Sequence, residues 1–413
     1  MAVMRGTGRV ATNLRGGTLI RFVPAGGALR ARRGAFWPDR DGGARCDGGD
    51  VFTGGLEEPA LSPCAVMTAR LSDYQFVLPP ELIAQHPPRE RAMSRLMTVQ
   101  RGVGLDGEGT FQDLPDLLRG DELLVFNDTR VVPARLRGHK DTGGRIELLA
   151  LRLETPSTFR ALGKASKGFA VGQRLTIGDG TVLTVAATHD DGEVTIQLPA
   201  GHPDLWVWLA AVGELPLPPY IARPDGPDAE DAARYQTVFA NEPGSVAAPT
   251  AGLHFTDALL GQIAQRGCEI ARVTLHVGPG TFAPVRTDNL DDHTMHSERY
   301  DVSEAAAERI ATARREGRRI LAVGTTVVRT LEAIAGANDG VVVPGLGETA
   351  IFIREGHRFQ VVEQLLTNFH LSQSTLLVLV SAFAGRAVTL GAYEEAVRRG
   401  FRFFSYGDGM LLR

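Results

Sequence analysis

The sequence predicts an α/β fold: a mixed sheet flanked by helices, with an inserted small β-barrel domain and a disordered N-terminal extension. Three observations carry this expectation. Residues 1–66 hold thirteen of the chain's 48 glycines and nine arginines, with no lysine and little periodic apolar pattern. Between Pro133 and Pro216, short strand-like runs are separated by Gly and Asp turns, the spacing of a small barrel. Beyond Pro216, strand-like and helix-like segments alternate, as in a sheet covered by helices.

Bulk composition sets the frame. The chain has 413 residues, 43% hydrophobic and 22% charged, which is ordinary globular composition and long enough for two cores. Nothing approaches the ~18 consecutive apolar residues of a membrane span, so no membrane association is expected. Cys46, Cys64 and Cys268 lie far apart without metal-ligand spacing, which fits a reducing cytoplasm. A stretch such as Arg40 to Ala44 cannot bury enough surface to offset its ordering entropy. Residues 1–66 therefore read as disordered or as mis-annotated upstream sequence, with Met67 as initiator. Their nine arginines against six acidic residues give +3, so the chain's net −4 leaves −7 for residues 67–413. An acidic body that binds nucleic acid must do so through a local basic face.

In chain order, Asp73 to Ile83 reads as a short strand and then a proline-started helical turn. Leu96 to Val99 and Leu123 to Phe126 read as strands. Barrel strands are expected at Arg145 to Ala150, Phe159 to Leu162, Arg174 to Ile177, Thr181 to Ala186 and Glu193 to Leu198. Pro216 to Pro219 is a stiff exit. Further strands are expected at Glu269 to Val277, Arg319 to Val323, Ala350 to Ile353 and Val361 to Leu366. Helices are expected at Ser303 to Glu316, Thr326 to Ile334 and Ser374 to Phe383. The domain division follows: 67–132 and 217–413 as a discontinuous α/β domain, and 133–216 as the inserted barrel.

Gly102 to Gly107 satisfies a dinucleotide-binding glycine pattern and follows a strand. No helix follows it to hold a pyrophosphate, so it reads as a hairpin loop. Polar strand ends are more informative: Asn127 to Arg130, Thr250 to His254, Thr274 to Thr281, Gly324 to Arg329 and Thr367 to His370. In open α/β sheets ligands sit at the carboxyl ends of strands, so these segments are expected to converge. His293 and His296 lack the helix or third ligand of a metal site, and no metal is expected.

Beyond this point the segments are specific. FNDTRVVPARLRG, GGRIELL, LPLPPYI, YQTVFA, VAAPTAGLHF, VTLHVGPGTFAPVR, HTMHSERY, AVGTTVVRTLE, TNFH, STLLVLVSAFAG and FRFFSYGDGM occur in order from Phe126 to Met410. They resemble the S-adenosylmethionine:tRNA ribosyltransferase-isomerase family of queuosine biosynthesis. Ser372, Gln373 and Gly409 depart from that pattern, which usually has proline, often a basic residue, and alanine there.

The resemblance implies that the ribosyl part of S-adenosylmethionine moves to a 7-aminomethyl-7-deazaguanine at the tRNA wobble position. The product is epoxyqueuosine in tRNA, with adenine and methionine released and no metal needed. A sulfonium acidifies the adjacent carbon, so the chemistry asks for a base, an acid and hydroxyl-binding groups. On this resemblance, His254, His276, His296 and Glu298 are the catalytic candidates. Thr325, Thr326, Arg329, Asn127, Asp128, Thr129, Arg130, Asn368 and Asp408 are the cofactor-binding candidates. Arg135, Arg137, Lys140, Arg145, Lys164 and Lys167 are the candidate tRNA face. His254, His276 and Arg329 are expected to share one pocket. The protein is expected to be cytoplasmic and monomeric, with tRNA as partner. An ordinary methyltransferase is the rival enzyme class, but no glycine-rich loop joins a first strand to a helix.

Overall fold

The computed structural model describes residues 69–413 apart from 191, 200, 202, 203, 283, 284 and 286. The expectations for residues 1–66 and for Met67 lie outside the described residues. A hairpin of β1 (Arg95–Gln100) and β2 (Gly104–Thr110) comes first among the strands, with Gly102 in its turn. The glycine pattern there is a hairpin loop, as expected. Next come β3 (Leu123–Asn127) and β4 (Thr129–Val131). The barrel strands follow: β5 (Arg135–Lys140), β6 (Arg145–Thr155), β7 (Thr158–Ala165), β8 (Arg174–Ile177), β9 (Val182–Thr188) and β10 (Glu193–Gln197). The rest of the sheet is built from β11 (Glu242–Ser245), β12 (Glu269–Leu275), β13 (Glu298–Val302) and β14 (Ile320–Val323). It ends with β15 (Gly345–Thr349), β16 (Gln364–Asn368) and β17 (Gly409–Leu412).

The main sheet has nine strands in the order β15-β13-β12-β3-β14-β16-β17-β1-β2. Strands β12, β3, β14 and β16 run parallel, so their carboxyl ends share one edge. Strand β17 returns antiparallel to β16 and starts at that same edge. Both faces of the central strands are covered, and β3, β14 and β16 are buried at every residue. The two-residue period then divides them between two cores. Leu123 and Val125 join the layer containing Ile310, Val328, Leu331, Leu377 and Val380, while Leu124 and Phe126 face Phe255, Leu259 and Ile263.

The helices α1 (Leu114–Leu117), α2 (Leu205–Val212), α3 (Ala229–Arg234) and α4 (Asp257–Gln265) precede α5 (Glu304–Arg315). They are followed by α6 (Thr325–Ala337), α7 (Thr375–Ala384) and α8 (Arg386–Arg398). Thr256, Ser303 and Ser374 start α4, α5 and α7 by accepting backbone N–H groups. Among the described residues, no single helix is long and apolar enough to cross a membrane.

Strands β10-β7-β6-β5-β8-β9 close into a barrel. Leu136, Leu148, Phe159, Leu175, Val185 and Ile196 fill it, and Trp208 and Leu209 of α2 join the same core. The chain leaves beside its entry, where an Arg135–Glu214 bridge ties the two together. A Cβ on Gly213 would lie 1.8 Å from the Pro133 carbonyl, so only glycine permits that crossing.

Two expected strands are corrected. Leu71–Tyr74 is a 3-10 turn, and the extended stretch after it is anchored by Phe76 N–H donating to Ser372 Oγ at 3.0 Å, with no strand beside it. Ala350 to Ile353 is irregular, and the strand lies just before it at Gly345–Thr349. That edge strand is mostly exposed and carries no alternating apolar signal.

Candidate active site

The parallel strand ends open onto a pocket. Its wall takes Ala247 to Ala251 from the segment after β11, Gly324, Thr325 and Thr326 from the β14–α6 turn, and Thr367, Asn368 and His370 from the end of β16. Tyr220, Phe404 and Ser405 close one side, and Leu371 and Ser374 another. Gly324 makes the turn at φ +97°, a conformation that disfavours any side chain, and it delivers the first turn of α6 to the wall. A helix start of this kind favours an anionic or hydroxyl ligand.

Among the described residues the wall holds no Asp, Glu, Lys or Arg. Burial pushes Tyr220 up to about 12, and its hydroxyl is 2.6 Å from Ser405 Oγ. Burial pushes His370 down to about 3, and its Nε2 is hydrogen-bonded to Thr367 Oγ1 at 2.9 Å. Both groups are neutral near pH 7. Asn368 donates through Nδ2 to His254 Nε2 at 3.0 Å and to the Phe404 carbonyl at 3.1 Å. Its Oδ1 is buried and has no hydrogen-bond partner among the described residues.

Of the sequence candidates, Thr325, Thr326 and Asn368 line this pocket. Others stand behind the wall. Asn127 accepts from Leu275 N–H and donates to the Leu275 carbonyl, both at 3.0 Å, and donates to Thr326 Oγ1 at 3.2 Å. It thereby locks β3, β12 and α6 together. Asp128 accepts from Thr274 Oγ1 at 2.7 Å, and burial raises its carboxyl. Thr129 Oγ1 is 2.9 Å from His276 Nδ1, and burial with Arg299 lowers His276 to about 4. Asp408 accepts the N–H groups of Arg95 and Arg402, and burial raises it too. His254 stacks on Phe111 at 4.0 Å, and burial, then Arg402 and Arg91, push it down to about 3.

His254, His276 and Arg329 do not share the pocket. None of them lines it, and Arg329 is instead buried in an ion pair with Glu298. His296 and Arg130 are exposed. Among the described residues no group of three His, Cys, Asp or Glu is placed to hold a metal. On the barrel, Lys140 is buried, and its ammonium meets the Gly168 carbonyl and lies over Phe169. Its charge therefore faces inward. Arg137 meets Glu214 at 3.0 Å, and Arg135 lies 3.7 Å from Glu147. Arg145, Lys164 and Lys167 are exposed.

The sequence reasoning placed Thr250 and His370 in strand-end segments expected to converge but gave neither a role, and it gave none to Tyr220, Ser374 or Ser405; all five line the pocket. His370 had a legible signal: it lies three residues after Thr367, directly beyond an apolar strand. The Ser372 and Gln373 departures fall on the loop beside the wall, where Ser372 holds Phe76 and Gln373 sits at φ +57°.

The buried imidazoles make stability sensitive to acid. His254 and His370 have folded values near 3 against an ordinary 6.5, so the unfolded chain binds protons first as pH falls. Their contribution is complete above 6.5 and declines toward 3. From pH 7 to 5 each is expected to cost about 2 kcal/mol, read as a shift in denaturant midpoint. Asp128 and Asp408, raised by burial, oppose this nearer the carboxylate range. Equal stability at the two pH values would show that the imidazoles are not held neutral.

Comparison with known proteins identifies the family. A family model described as a queuosine biosynthesis protein matches residues 71–412. The S-adenosylmethionine:tRNA ribosyltransferase-isomerase of Anaeromyxobacter dehalogenans is 55% identical over 346 residues, which is 83% of this chain and 99% of that one. The enzyme of that name from Geobacter sulfurreducens is 50% identical over 344 residues, again 83% and 99%. A solved S-adenosylmethionine tRNA ribosyltransferase from Thermotoga maritima is 31% identical, covers 83% of this chain and 100% of its own, and has a TM-score of 0.47. The chain belongs to the queuosine biosynthesis protein family and is an enzyme of the kind that its relatives name, the S-adenosylmethionine:tRNA ribosyltransferase-isomerases.

Proposed function

We propose that the chain transfers and isomerises the ribosyl part of S-adenosylmethionine onto 7-aminomethyl-7-deazaguanine at the tRNA wobble position. The product is epoxyqueuosine in tRNA, and adenine and methionine leave. The observation that carries the reading is the charge-free pocket wall at the parallel strand ends. A sulfonium brings its own positive charge, and a carboxylate beside it would offset the acidity it confers on the adjacent carbon. A neutral wall leaves that acidity intact.

Thr325 and Thr326, with the start of α6, suit the methionine carboxylate or ribose hydroxyls. The open Asn368 Oδ1 suits a donor such as an exocyclic amine. Asn127, His254 and Asp408 act by positioning, since they hold Thr326, Asn368 and the β17 start from behind. The test is one incubation with deazaguanine-bearing tRNA and S-adenosylmethionine, read by nucleoside mass spectrometry. Adenine and methionine are expected. Release of S-adenosylhomocysteine would instead identify a methyltransferase.

Residues 133–216 are proposed as an inserted domain within the 67–132 and 217–413 catalytic domain, and the closed barrel between Arg135 and Gln197 supports this. A cytoplasmic location goes with a tRNA substrate. Arg145, Lys164 and Lys167 are the barrel cations proposed to meet phosphate. A Lys164→Ala, Lys167→Ala double variant is expected to flatten the salt dependence of tRNA binding by a slope of about two. An unchanged slope would remove the barrel from the interface.

A further inference from the structure

A second, smaller cleft adjoins the pocket and shares Ser405 with it. Arg91 and Arg234 stand on its wall with His254 and Tyr406. Arg91 donates to the Leu253 and Ala233 carbonyls, each at 3.0 Å. Arg234 donates to the Pro88 carbonyl at 2.6 Å and the Arg89 carbonyl at 3.4 Å. Among the described residues neither guanidinium has a carboxylate within ion-pair distance. Backbone carbonyls orient these cations without neutralising them.

The charges also oppose one another. Burial first, and then the charge of Arg234, lower the Arg91 guanidinium below its ordinary value. The nearby acids are committed elsewhere: Asp231 pairs with Arg223 at 2.7 Å, and Asp408 accepts two backbone N–H groups with Arg402 at 3.8 Å. Like charges held this way, part-buried and without a counter-ion, raise the free energy of the empty cleft. An anion would relieve both.

We propose that this cleft is an anion subsite that takes a phosphodiester of the RNA whose base enters the main pocket. The proposal rests on the functional reading above. A planar guanidinium fork matches phosphate oxygens in pairs. The shared Ser405 wall places the cleft next to the pocket, where backbone flanking an inserted nucleotide must run. A body with a net acidic charge needs such a local site to hold a polyanion. The methionine carboxylate, the other anion of the reaction, has the α6 start on the main pocket's wall, outside this cleft.

The full chain is titrated with a fluorescent tRNA anticodon stem-loop transcript over about 50–300 mM salt. Arg234→Gln is expected to weaken binding about tenfold and to lower the log–log salt slope by about one. Affinity for S-adenosylmethionine, measured by calorimetry, is expected to stay within about twofold. Arg234→Lys should keep the slope, which separates lost charge from the lost carbonyl bonds to Pro88 and Arg89. An unchanged slope in Arg234→Gln overturns the subsite. A tenfold loss of S-adenosylmethionine affinity with RNA binding intact also overturns it, by assigning the cleft to the cofactor's carboxylate. A wild-type chain that shows no salt-dependent RNA binding defeats the functional reading itself, before any variant is compared.

Discussion

Replacing His370 by alanine is expected to lower turnover by about 10²–10³-fold while the Michaelis constant for tRNA changes by less than about threefold. His370 is the imidazole on the pocket wall, and Nε2 is its only ring nitrogen with a protein hydrogen bond, to Thr367 Oγ1 at 2.9 Å. Nδ1 therefore has no protein partner among the described residues. With its proton affinity pushed down to about 3, the ring is neutral throughout the working range. A neutral imidazole is a weak base but a fixed dipole, able to hydrogen-bond departing adenine or a ribose hydroxyl without bringing a charge. His370→Gln should regain about tenfold of the loss, because a carboxamide can hydrogen-bond from nearly the same position. The variant should also leave the pH–rate profile unchanged in shape between pH 5 and 8. Turnover of His370→Ala within threefold of wild type would sink this role. So would a profile limb near 6.5 that disappears in His370→Gln, since it would mean a titrating ring.

How far the sequence reaches is clear from particular residues. The central strands were legible where Leu123 to Phe126 and Ile320 to Val323 form short apolar runs, which fit strands buried on both faces. The convergence of strand ends was legible because polar residues such as Asn127, Thr325, Thr326 and Asn368 follow such runs closely. What sequence could not separate is which polar side chain faces the cavity and which stands behind it. Asn127 and Asn368 both end parallel strands, yet one clamps the Leu275 backbone and the other leaves an acceptor open on the wall. His254 and His370 are both depressed to about 3, but only His370 lines the pocket. Tyr220 and Ser405 come from segments 185 residues apart, and nothing local marks their 2.6 Å contact. Lys140 was expected on the tRNA face, and it falls on the buried phase of β5 with Leu136.

Arg329→Ala is expected to destabilise the fold by about 3–5 kcal/mol and to affect S-adenosylmethionine binding far less. The sequence reading made Arg329 a cofactor-binding candidate, because a guanidinium suits a carboxylate through paired hydrogen bonds. In the structure it turns away. Its Nη1 meets Glu298 Oε2, and its Nε donates to the Ile351 carbonyl at 3.4 Å. Arg329 and Glu298 are 4% and 5% exposed, which puts the pair in the interior between α6 and β13. Removing one member of a buried pair leaves the other charged group desolvated without that partner, and this is where the large cost arises. Glu298 also accepts the Gly278 N–H at 3.2 Å, so its loss of the cation would loosen the glycine-rich turn after β12. Replacing both residues by apolar ones of similar volume, Arg329→Met with Glu298→Leu, should recover most of the stability, because no unpaired charge remains. Denaturant unfolding of the two variants measures this. The decisive comparison is between stability and affinity. If Arg329→Ala unfolds like wild type while its affinity for S-adenosylmethionine falls tenfold, the guanidinium binds the cofactor after all. If stability collapses and the apolar pair restores both fold and affinity, its task is to hold β13 against α6.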